Sequence, residues 1–388
     1  MAKLNAVSDL LQALIAIPSV NPFVDDHEQA LCGEQACAEF IADFLKSLGA
    51  TVQLDEVFPN RPNVIGEFPT NNKGTTKPKI LLSPHLDTGT GMTTDPFAGE
   101  IPNVRLYGRG ASDTKGTAAA MRALHELGPK RIAELNVQVT FVGFMGEEHS
   151  QPGSIHFAKH HPDYDFAIIG EPTKLDVVHT HKGTYWVELK ATGKAAHGAS
   201  PHLGDNAILK LANTLQQLDQ NIRPTLSQFS DLILGNPTMN IGQIQGGTQP
   251  NIVPETATAQ IDFRLTPQLH EHGFPALLQD YRPRDDSVQA RPTLQCAPLA
   301  TDSSLPHINT LAKADSGKRT GALWFCDAAY LAAAGIPSVA AGPGSIDQAH
   351  TNDEWIDLQD IEDRVQCYKP ANQAPNRILQ GQSTVLSP

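Results

Sequence analysis

The sequence is short of cysteine, of positive charge and of long apolar runs, and each shortage excludes a class of protein. Only five cysteines occur among 388 residues and no CxxC pair is present, which argues against a disulfide framework and against zinc held by thiolates. A formal net charge of -13 argues against a nucleic-acid partner, because neutralising phosphates requires a basic face. No apolar run approaches the roughly 20 residues of a membrane span. We therefore expect a cytoplasmic protein without nucleic-acid or membrane partners.

Nucleotide-binding loops are also absent. The segment 108–116 is rich in glycine, but it contains neither GxGxxG nor GxxxxGK[ST]. This disfavours a nucleotide-dependent oxidoreductase built on a similar sheet. Asp113 in this segment precedes a predicted helix, where it is either a helix N-cap or a ligand of a buried ion that the glycines allow the backbone to approach.

Apolar runs alternate with helical patterns along the first part of the chain. This alternation predicts an α/β protein with a mixed, mostly parallel sheet. Hydrophobic residues make up 40% and charged residues 18%, which is ordinary for a globular protein, and the length suffices for two domains. We predict strands at 80–82, 137–145, 166–169 and 336–341, and helices at 7–15, 28–48 and 115–127.

The middle of the chain has a different pattern, which predicts a smaller α+β domain inserted into the larger one. We place the inserted domain at 177–298, so that the larger domain is discontinuous and comprises 1–176 and 299–388. Residues beyond 368 are rich in Pro, Gln, Asn and Ser, and we expect them to be poorly ordered. Within the insertion we predict strands at 184–192, 239–244 and 256–265, and a helix at 205–218.

Polar side chains with metal-binding potential follow the predicted strands of the larger domain. In open α/β sheets the carboxyl ends of the strands are where ligand sites gather. Each of these side chains alone would most often be structural or exposed, but their recurrence at strand ends indicates a site. They are His85 and Asp87 after the first run, Glu147 and Glu148 after the second, Glu171 after the third, and His350 after the fourth.

The donor types indicate a pair of metal ions. The candidate ligands are the two imidazoles and three carboxylates, namely Asp113, Glu171 and one of the adjacent pair Glu147 and Glu148. This donor set suits zinc, with cobalt or manganese as substitutes. Five ligands with one shared carboxylate fit two ions about 3.5–4 Å apart. The adjacent acids Glu147 and Glu148 repel one another, and a cation explains their placement after an apolar strand: one is a ligand, and the other is a general base. An exposed acidic loop is the alternative interpretation of this pair.

Taken together, these motifs resemble those of the di-zinc deacylase and exopeptidase family that contains acetylornithine deacetylase, succinyl-diaminopimelate desuccinylase, aminoacylases and glutamate carboxypeptidases. The resemblance runs in family order from about residue 8 to 365. It implies a zinc-dependent exopeptidase-like catalytic domain and an inserted ferredoxin-like lid or dimerisation domain. The matching segments are 83–87, 108–116, 145–148, 170–173, 181–183, 193–208, 262–264 and 342–350.

The resemblance implies a role for each metal ligand. His85 and Glu171 would hold one zinc ion, and Glu148 and His350 would hold the other. Asp113 would bridge the two ions. The resemblance thus implies two Zn²⁺ ions as cofactors, with Co²⁺ or Mn²⁺ able to replace them.

Further residues acquire catalytic and substrate-binding roles from the same resemblance. Asp87 would orient His85. Glu147 would take a proton from the attacking water and later return it to the departing amine. His197 would come from the inserted domain to stabilise the oxyanion, in this family typically across a homodimer, with action within its own subunit as the alternative. Substrate contacts would be made by Arg264, which would bind a carboxylate, and by Asn251 and Ser345.

The segment 342–350 is most similar to that of acetylornithine deacetylases and their nearest relatives. The expected reaction is therefore hydrolysis of N2-acetyl-L-ornithine to ornithine and acetate, as in arginine biosynthesis. The alternatives within the family are a desuccinylase and a metallo-carboxypeptidase or dipeptidase. Outside it, a catalytically dead metal-binding relative is the remaining alternative, although such a protein would be expected to lack a ligand or the base.

Overall fold

The computed structural model describes residues 6–23, 31–71, 77–90, 95–281, 287–315 and 317–368, and the statements below refer to these residues. The chain divides into two compact units. The first comprises Met1–His179, Thr301–Thr320 and Cys326–Pro388, and the second comprises Thr180–Ala300 and Gly321–Phe325. The second unit covers most of the insertion predicted at 177–298. The tail predicted to be poorly ordered lies outside the described residues.

The strands follow the predicted order along the chain, with additional strands between them. In chain order they are β1 Thr51–Phe58, β2 Arg61–Glu67, β3 Lys79–Ser83, β4 Arg105–Tyr107, β5 Gln138–Gly143, β6 Phe166–Ile169, β7 Val177–His181, β8 Gly183–Thr192, β9 Thr238–Gly246, β10 Thr256–Leu265, β11 Val288–Cys296, β12 Leu299–Ala300, β13 Arg319–Ala322, β14 Ser338–Ala340 and β15 Trp355–Asp357.

The main sheet of the first unit has the order β1-β2-β5-β3-β6-β14-β7. The pairs β3–β5, β3–β6 and β6–β14 are parallel, whereas β1–β2, β2–β5 and β7–β14 are antiparallel. The predicted mixed sheet with a parallel centre is therefore confirmed. The central strands are buried along almost their whole length, and this is why they read as continuous apolar runs rather than as alternating patterns.

Helices cover this sheet and close the core of the first unit. Leu10, Leu11 and Ile15 on the first helix are each at most 1% exposed, as its apolar stripe predicts. In chain order the helices are α1 Val7–Ile15, α2 Gln35–Ser47, α3 Ala118–Ala133, α4 Pro152–His160, α5 Ala207–Leu226, α6 Pro267–His272, α7 Phe274–Tyr281, α8 Pro306–Asp315, α9 Ala328–Ala333 and α10 Leu358–Tyr368.

In the first unit, two helices begin later than predicted. The helix expected at 28–48 begins only at Gln35, because Gly33 adopts a left-handed conformation with φ of 92° and residues 32–34 are not helical. The helix expected from Lys115 starts with a 3₁₀ turn, Lys115–Thr117, before α3. Within α3 the helical geometry is interrupted at Gly128, just before Pro129, since proline cannot donate the helical hydrogen bond.

The second unit is an antiparallel sheet with helices α5, α6 and α7. Its strand order is β11-β8-β10-β9, which with the chain order β8-α5-β9-β10-α6-α7-β11 gives the expected ferredoxin-like arrangement. The helix predicted at 205–218 extends to Leu226, because Ile222 and Leu226 continue its buried stripe. Strand β11 was not predicted.

Within the described residues, no helix combines the length and the apolar character needed to cross a membrane.

Candidate metal centre

The predicted ligands of the first unit meet at one edge of its main sheet. His85 follows β3, Glu148 follows β5 and Glu171 follows β6, and these strands run parallel, so that their carboxyl ends lie together. His350 lies in the loop beyond β14, which is parallel to β6. Asp113 reaches the same place from the loop between β4 and α3.

Three buried side chains form the first group, which we call the His85 cluster: His85, Asp113 and Glu171. Their ligand atoms all lie within 4.8 Å of one another. His85 Nε2 is 3.1 Å from Asp113 Oδ1. His85 Nδ1 donates to the carbonyl oxygen of Asp87 at 2.9 Å, which directs Nε2 toward the cluster.

A second group, the His350 cluster, consists of Asp113, Glu148 and His350, again with ligand atoms within 4.8 Å of one another. His350 Nε2 lies 2.7 Å from Glu148 Oε2 and 3.5 Å from Asp113 Oδ2. Asp113 therefore belongs to both clusters, with one carboxylate oxygen toward each imidazole. The hydrogen bond to Glu148 raises the pKa of His350 to about 9.

The donor set fits a pair of cations. Glu148 Oε1 and Glu171 Oε1 are buried and have no hydrogen-bond partner among the described residues. Burial raises the pKa of the Glu148 carboxyl, and it raises that of Glu171 well above the usual range, with neighbouring acids adding to both effects. Buried carboxylates at such close range require compensation, which a divalent ion bound to their unpaired oxygens would provide.

Asp87 holds the two glutamates as well as the histidine. Its carboxylate lies 3.6 Å from His85 Nδ1, while Oδ1 accepts from the Glu147 amide at 2.9 Å and Oδ2 from the Glu148 amide at 3.0 Å. Asn21 Nδ2 donates to Oδ2 as well, at 2.8 Å. Burial raises the pKa of Asp87, but hydrogen bonds and the charge of His85 outweigh this and hold it below the usual value. The approach to His85 is thus one of several contacts that this carboxylate makes, and the role of Asp87 in orienting His85 stays a prediction.

Glu147 lies beside the clusters without belonging to either. Its Oε1 accepts a hydrogen bond of 2.7 Å from Gln151 Nε2. Gln151 is fully buried and has left-handed backbone geometry, with φ of 53°, at the start of α4. Burial, followed by the charge of Glu171, raises the pKa of Glu147 well above its usual range. The sequence does not predict the contact of Gln151 with Glu147, because no recognisable motif includes Gln151.

The turn that carries the two glutamates is fixed by a buried ion pair. Glu34 binds Arg61 through both carboxylate oxygens, at 2.6 and 2.7 Å, and also accepts from the Gly146 amide at 3.2 Å. Gly146 has φ of 76°, and a Cβ there would lie 2.8 Å from Pro152 Cγ, so that glycine is required. The sequence offers no signal for this pair, since its members are 27 positions apart.

Ser345 lies in the first unit, in the loop that leads to His350. Its side chain accepts from the Asp347 amide at 3.2 Å and so begins the 3₁₀ turn Ile346–Gln348. Its backbone forms an isolated bridge with Thr173, two residues after Glu171. The contact of Ser345 with substrate stays a prediction.

His197 and Asn251 are neighbours within the second unit. Gly198 donates to the Asn251 carbonyl at 2.8 Å, and His197 forms a backbone bridge with Ile252. His197 is exposed, and its Nδ1 accepts from the Ala199 amide at 3.0 Å, which leaves Nε2 as the nitrogen that can donate a hydrogen bond. A groove of about 590 Å³ lies beside these loops, lined in part by Gly198, Gly247 and Ile252.

Arg264 lies on β10 of the second unit and is about 28% exposed at its side chain. Its Nε donates to Asp262 at 2.9 Å, and its guanidinium lies 5.3 Å from the centre of the Phe325 ring. Asp262 also accepts from the Thr184 hydroxyl at 2.8 Å. These contacts hold the guanidinium in one orientation, and its role in substrate binding stays a prediction.

Comparison with protein families gives two matches. Residues 179–282 match the family described as the peptidase dimerisation domain of M20 enzymes, and residues 63–228 match peptidase family M28. Among curated proteins, acetylornithine deacetylase of Yersinia pseudotuberculosis is 29% identical over 381 residues, covering 93% of this chain and 95% of the relative. A probable carboxypeptidase of Aspergillus flavus is 33% identical over 279 residues, covering 66% of this chain and 62% of the relative.

Solved structures share the fold along nearly the whole chain. A tripeptidase from Staphylococcus aureus has a TM-score of 0.72 at 20% identity, covering 93% of this chain and 95% of that one. A Bacillus subtilis protein described as a dinuclear metal-binding peptidase from the M20 family has a TM-score of 0.64 at 15% identity, covering 93% and 94%. At these identities the likeness concerns the fold.

Proposed function

We propose that this chain is a hydrolase of the M20 peptidase family that uses two divalent metal ions to cleave the amide bond of an N-acyl amino acid; the match to a peptidase dimerisation domain and the similarity to acetylornithine deacetylase support this. The observation that carries the proposal is the membership of Asp113 in both the His85 cluster and the His350 cluster. A carboxylate between two such groups suits a bridging ligand. Glu147, beside both clusters and outside each, supplies an acid–base group that is not a ligand.

The two ions would be zinc, one held by His85 and Glu171 and the other by Glu148 and His350, with Asp113 between them. Cobalt or manganese would replace zinc, because nitrogen and oxygen donors accept all three. When bound, such ions act as Lewis acids that polarise the substrate carbonyl and make water acidic enough to attack at neutral pH. The orphaned oxygens of Glu148 and Glu171 support this assignment.

Glu147 would carry the proton. Gln151 holds its Oε1, which leaves Oε2 as the oxygen that takes a proton from the attacking water and returns it to the departing amine. Asp87 fixes the backbone amide of Glu147 and so keeps the carboxylate at the edge of the clusters. Amide hydrolysis needs both proton transfers, because an amine anion is a very poor leaving group.

The second unit would complete the site from a partner subunit. The family match to a dimerisation domain supports a homodimer formed through this unit. His197, exposed and with its Nδ1 already engaged, would donate through Nε2 to the oxyanion that develops on the carbonyl. Arg264 would bind the substrate carboxylate with its planar fork, and Asn251 and Ser345 would make further substrate contacts.

For the acyl amino acid itself we propose N2-acetyl-L-ornithine, which would place the reaction in arginine synthesis. The similarity to acetylornithine deacetylase over nearly the whole chain supports this choice. A second candidate is removal of a terminal residue from a small peptide, which the similarity to a probable carboxypeptidase and to a tripeptidase favours. Both reactions use the same clusters and differ only in the substrate pocket.

A substrate panel tests the proposal. Amine release is measured from N-acetylornithine, N-succinyl-diaminopimelate, N-acetylmethionine and a dipeptide, with zinc or cobalt added and with a chelator as control. We expect chelator-sensitive turnover that is fastest with N-acetylornithine. Faster turnover of the dipeptide or of the succinyl substrate would replace the proposed substrate and keep the mechanism. Absence of turnover with two metals bound would favour a non-catalytic metal-binding protein.

A further inference from the structure

Glu354 is a completely buried acid outside the ligand set, and it accepts four hydrogen bonds from the segment that carries Asp113. Its Oε1 accepts from the amides of Ser112 and Asp113 at 2.8 and 3.0 Å. Its Oε2 accepts from the Gly110 amide at 3.1 Å and from Arg109 Nη1 at 2.7 Å. Each carboxylate oxygen therefore accepts from two donors, which fixes the backbone of this loop next to and at Asp113.

Arg109 connects the same loop to the segment that carries His350. The guanidinium is 2% exposed at its side chain, and its Nη2 donates to the carbonyl of Thr351 at 3.0 Å and to that of Thr90 at 2.7 Å. Thr351 directly follows His350, which itself has left-handed backbone geometry with φ of 59°. The pair Arg109–Glu354 thus binds both the segment that carries Asp113 and the segment that carries His350.

We propose that the Arg109–Glu354 ion pair is a positioning device that sets the distance between Asp113 and His350, and that it thereby controls the affinity of the His350 cluster for its metal ion. This inference rests on the proposed di-metal function and extends it to residues that touch neither metal nor substrate. Partners behind the ligands of metal sites typically contribute 10- to 100-fold in affinity, because they hold the ligands in place.

The two clusters depend on this pair to different degrees. In the His350 cluster, two of the three ligands, Asp113 and His350, lie on segments that the pair holds. In the His85 cluster only Asp113 is bound in this direct way: Glu171 follows β6, and the Thr90 carbonyl, which Arg109 also binds, lies five positions beyond His85 rather than next to it. Weakening the pair should therefore act mainly on one of the two ions, whereas general destabilisation of the fold would act on both.

The test is a stepwise Co²⁺ titration of the chelator-stripped full-length protein, by calorimetry and by the visible absorption of bound cobalt. Glu354→Gln keeps the shape of the side chain but turns an amide NH₂ toward two N–H donors. Arg109→Lys keeps the charge but loses the fork. The matched control is Asp357→Asn, which removes an exposed ion pair with Arg105 on the neighbouring strand. His350→Ala identifies which ion and which absorption band belong to the His350 cluster.

We expect Glu354→Gln to weaken the binding of the ion in the His350 cluster by roughly 10- to 100-fold and to change the absorption band of that ion. The affinity for the other ion should change less. Arg109→Lys should weaken the binding of the same ion by at least about fivefold. If Glu354→Gln does not fold, this variant tests the positioning role on its own. Wild-type metal affinities in Glu354→Gln and Arg109→Lys, or an equal loss of affinity in Asp357→Asn, would overturn the positioning role but not the proposed metal centre. A wild-type protein that binds fewer than two ions would overturn the proposed metal centre together with it.

Discussion

Replacing Gln151 with methionine should slow the reaction without removing metal. Methionine has nearly the length and volume of glutamine, so that the buried space beside Glu147 stays filled. The change removes one contact, the 2.7 Å hydrogen bond from Gln151 Nε2 to Glu147 Oε1. It also removes the side-chain amide oxygen of Gln151, which is buried without a partner among the described residues, so that Glu147 Oε1 is the one atom that loses its hydrogen bond.

The size of the effect follows from the type of bond. A hydrogen bond to a charged group contributes about 1.5–3 kcal/mol, and each 1.36 kcal/mol corresponds to a factor of ten in rate. If the bond is needed to aim Glu147 in the transition state, kcat should fall roughly 10- to 100-fold, while KM changes little because Gln151 does not bind substrate.

The assay is steady-state amine release on the best substrate of the panel, with metal content measured on the same preparation. Ser150→Ala is the matched control, because Ser150 is the adjacent residue with similar left-handed geometry and its hydroxyl donates to the His149 carbonyl rather than to Glu147. A kcat within twofold of wild type for Gln151→Met would refute the aiming role. An equal loss of kcat in Ser150→Ala would show that the effect comes from a disturbed turn rather than from the hydrogen bond to Glu147.

The second unit gives two further predictions. His197→Ala should lower kcat by about 10²–10³-fold if the imidazole stabilises the oxyanion, and mixed dimers of His197→Ala with Glu147→Gln should recover part of the activity. No recovery in verified mixed dimers would contradict the sharing of a site between subunits. Arg264→Ala should mainly raise KM, because the guanidinium binds the substrate in the ground state and the transition state alike. An unchanged KM would remove Arg264 from the substrate site.

The part of the centre that the sequence predicts is the part that follows from strand topology. His85, Glu148 and Glu171 each come after an apolar run, and parallel strands necessarily bring their carboxyl ends together. The same argument placed His350 after β14. The pairing of Asp113 with both imidazoles has no such basis in the sequence, and it was expected from family resemblance alone.

The side chains that hold this centre in place could not be predicted, because their partners are far away in sequence. Glu354 and Arg109 are 245 positions apart, and Glu34 and Arg61 are 27 apart. Gln151 is close to Glu147, but its contact depends on a left-handed turn that neither glycine nor asparagine marks. Such contacts depend on tertiary packing rather than on local spacing.

Two differences between the predicted and observed secondary structure lie where proline or glycine has an unusual place. Strand β11 contains Pro292, which is tolerated because β11 is an edge of its sheet and its register with β8 shifts between Pro292 and Leu294. At α2 the apolar pattern extends across Gly33, so that periodicity alone places the helix start too early.

The decisive experiment on the proposed mechanism is Glu147→Gln, assayed for metal content and for turnover in the same preparation. Glu147 transfers the proton in this mechanism and does not bind metal, since it belongs to neither cluster. We predict two bound ions, as in wild type, and a loss of turnover of at least about 10²-fold. Turnover close to wild type would exclude Glu147 as the general base, and the loss of a metal ion with the substitution would make it a ligand.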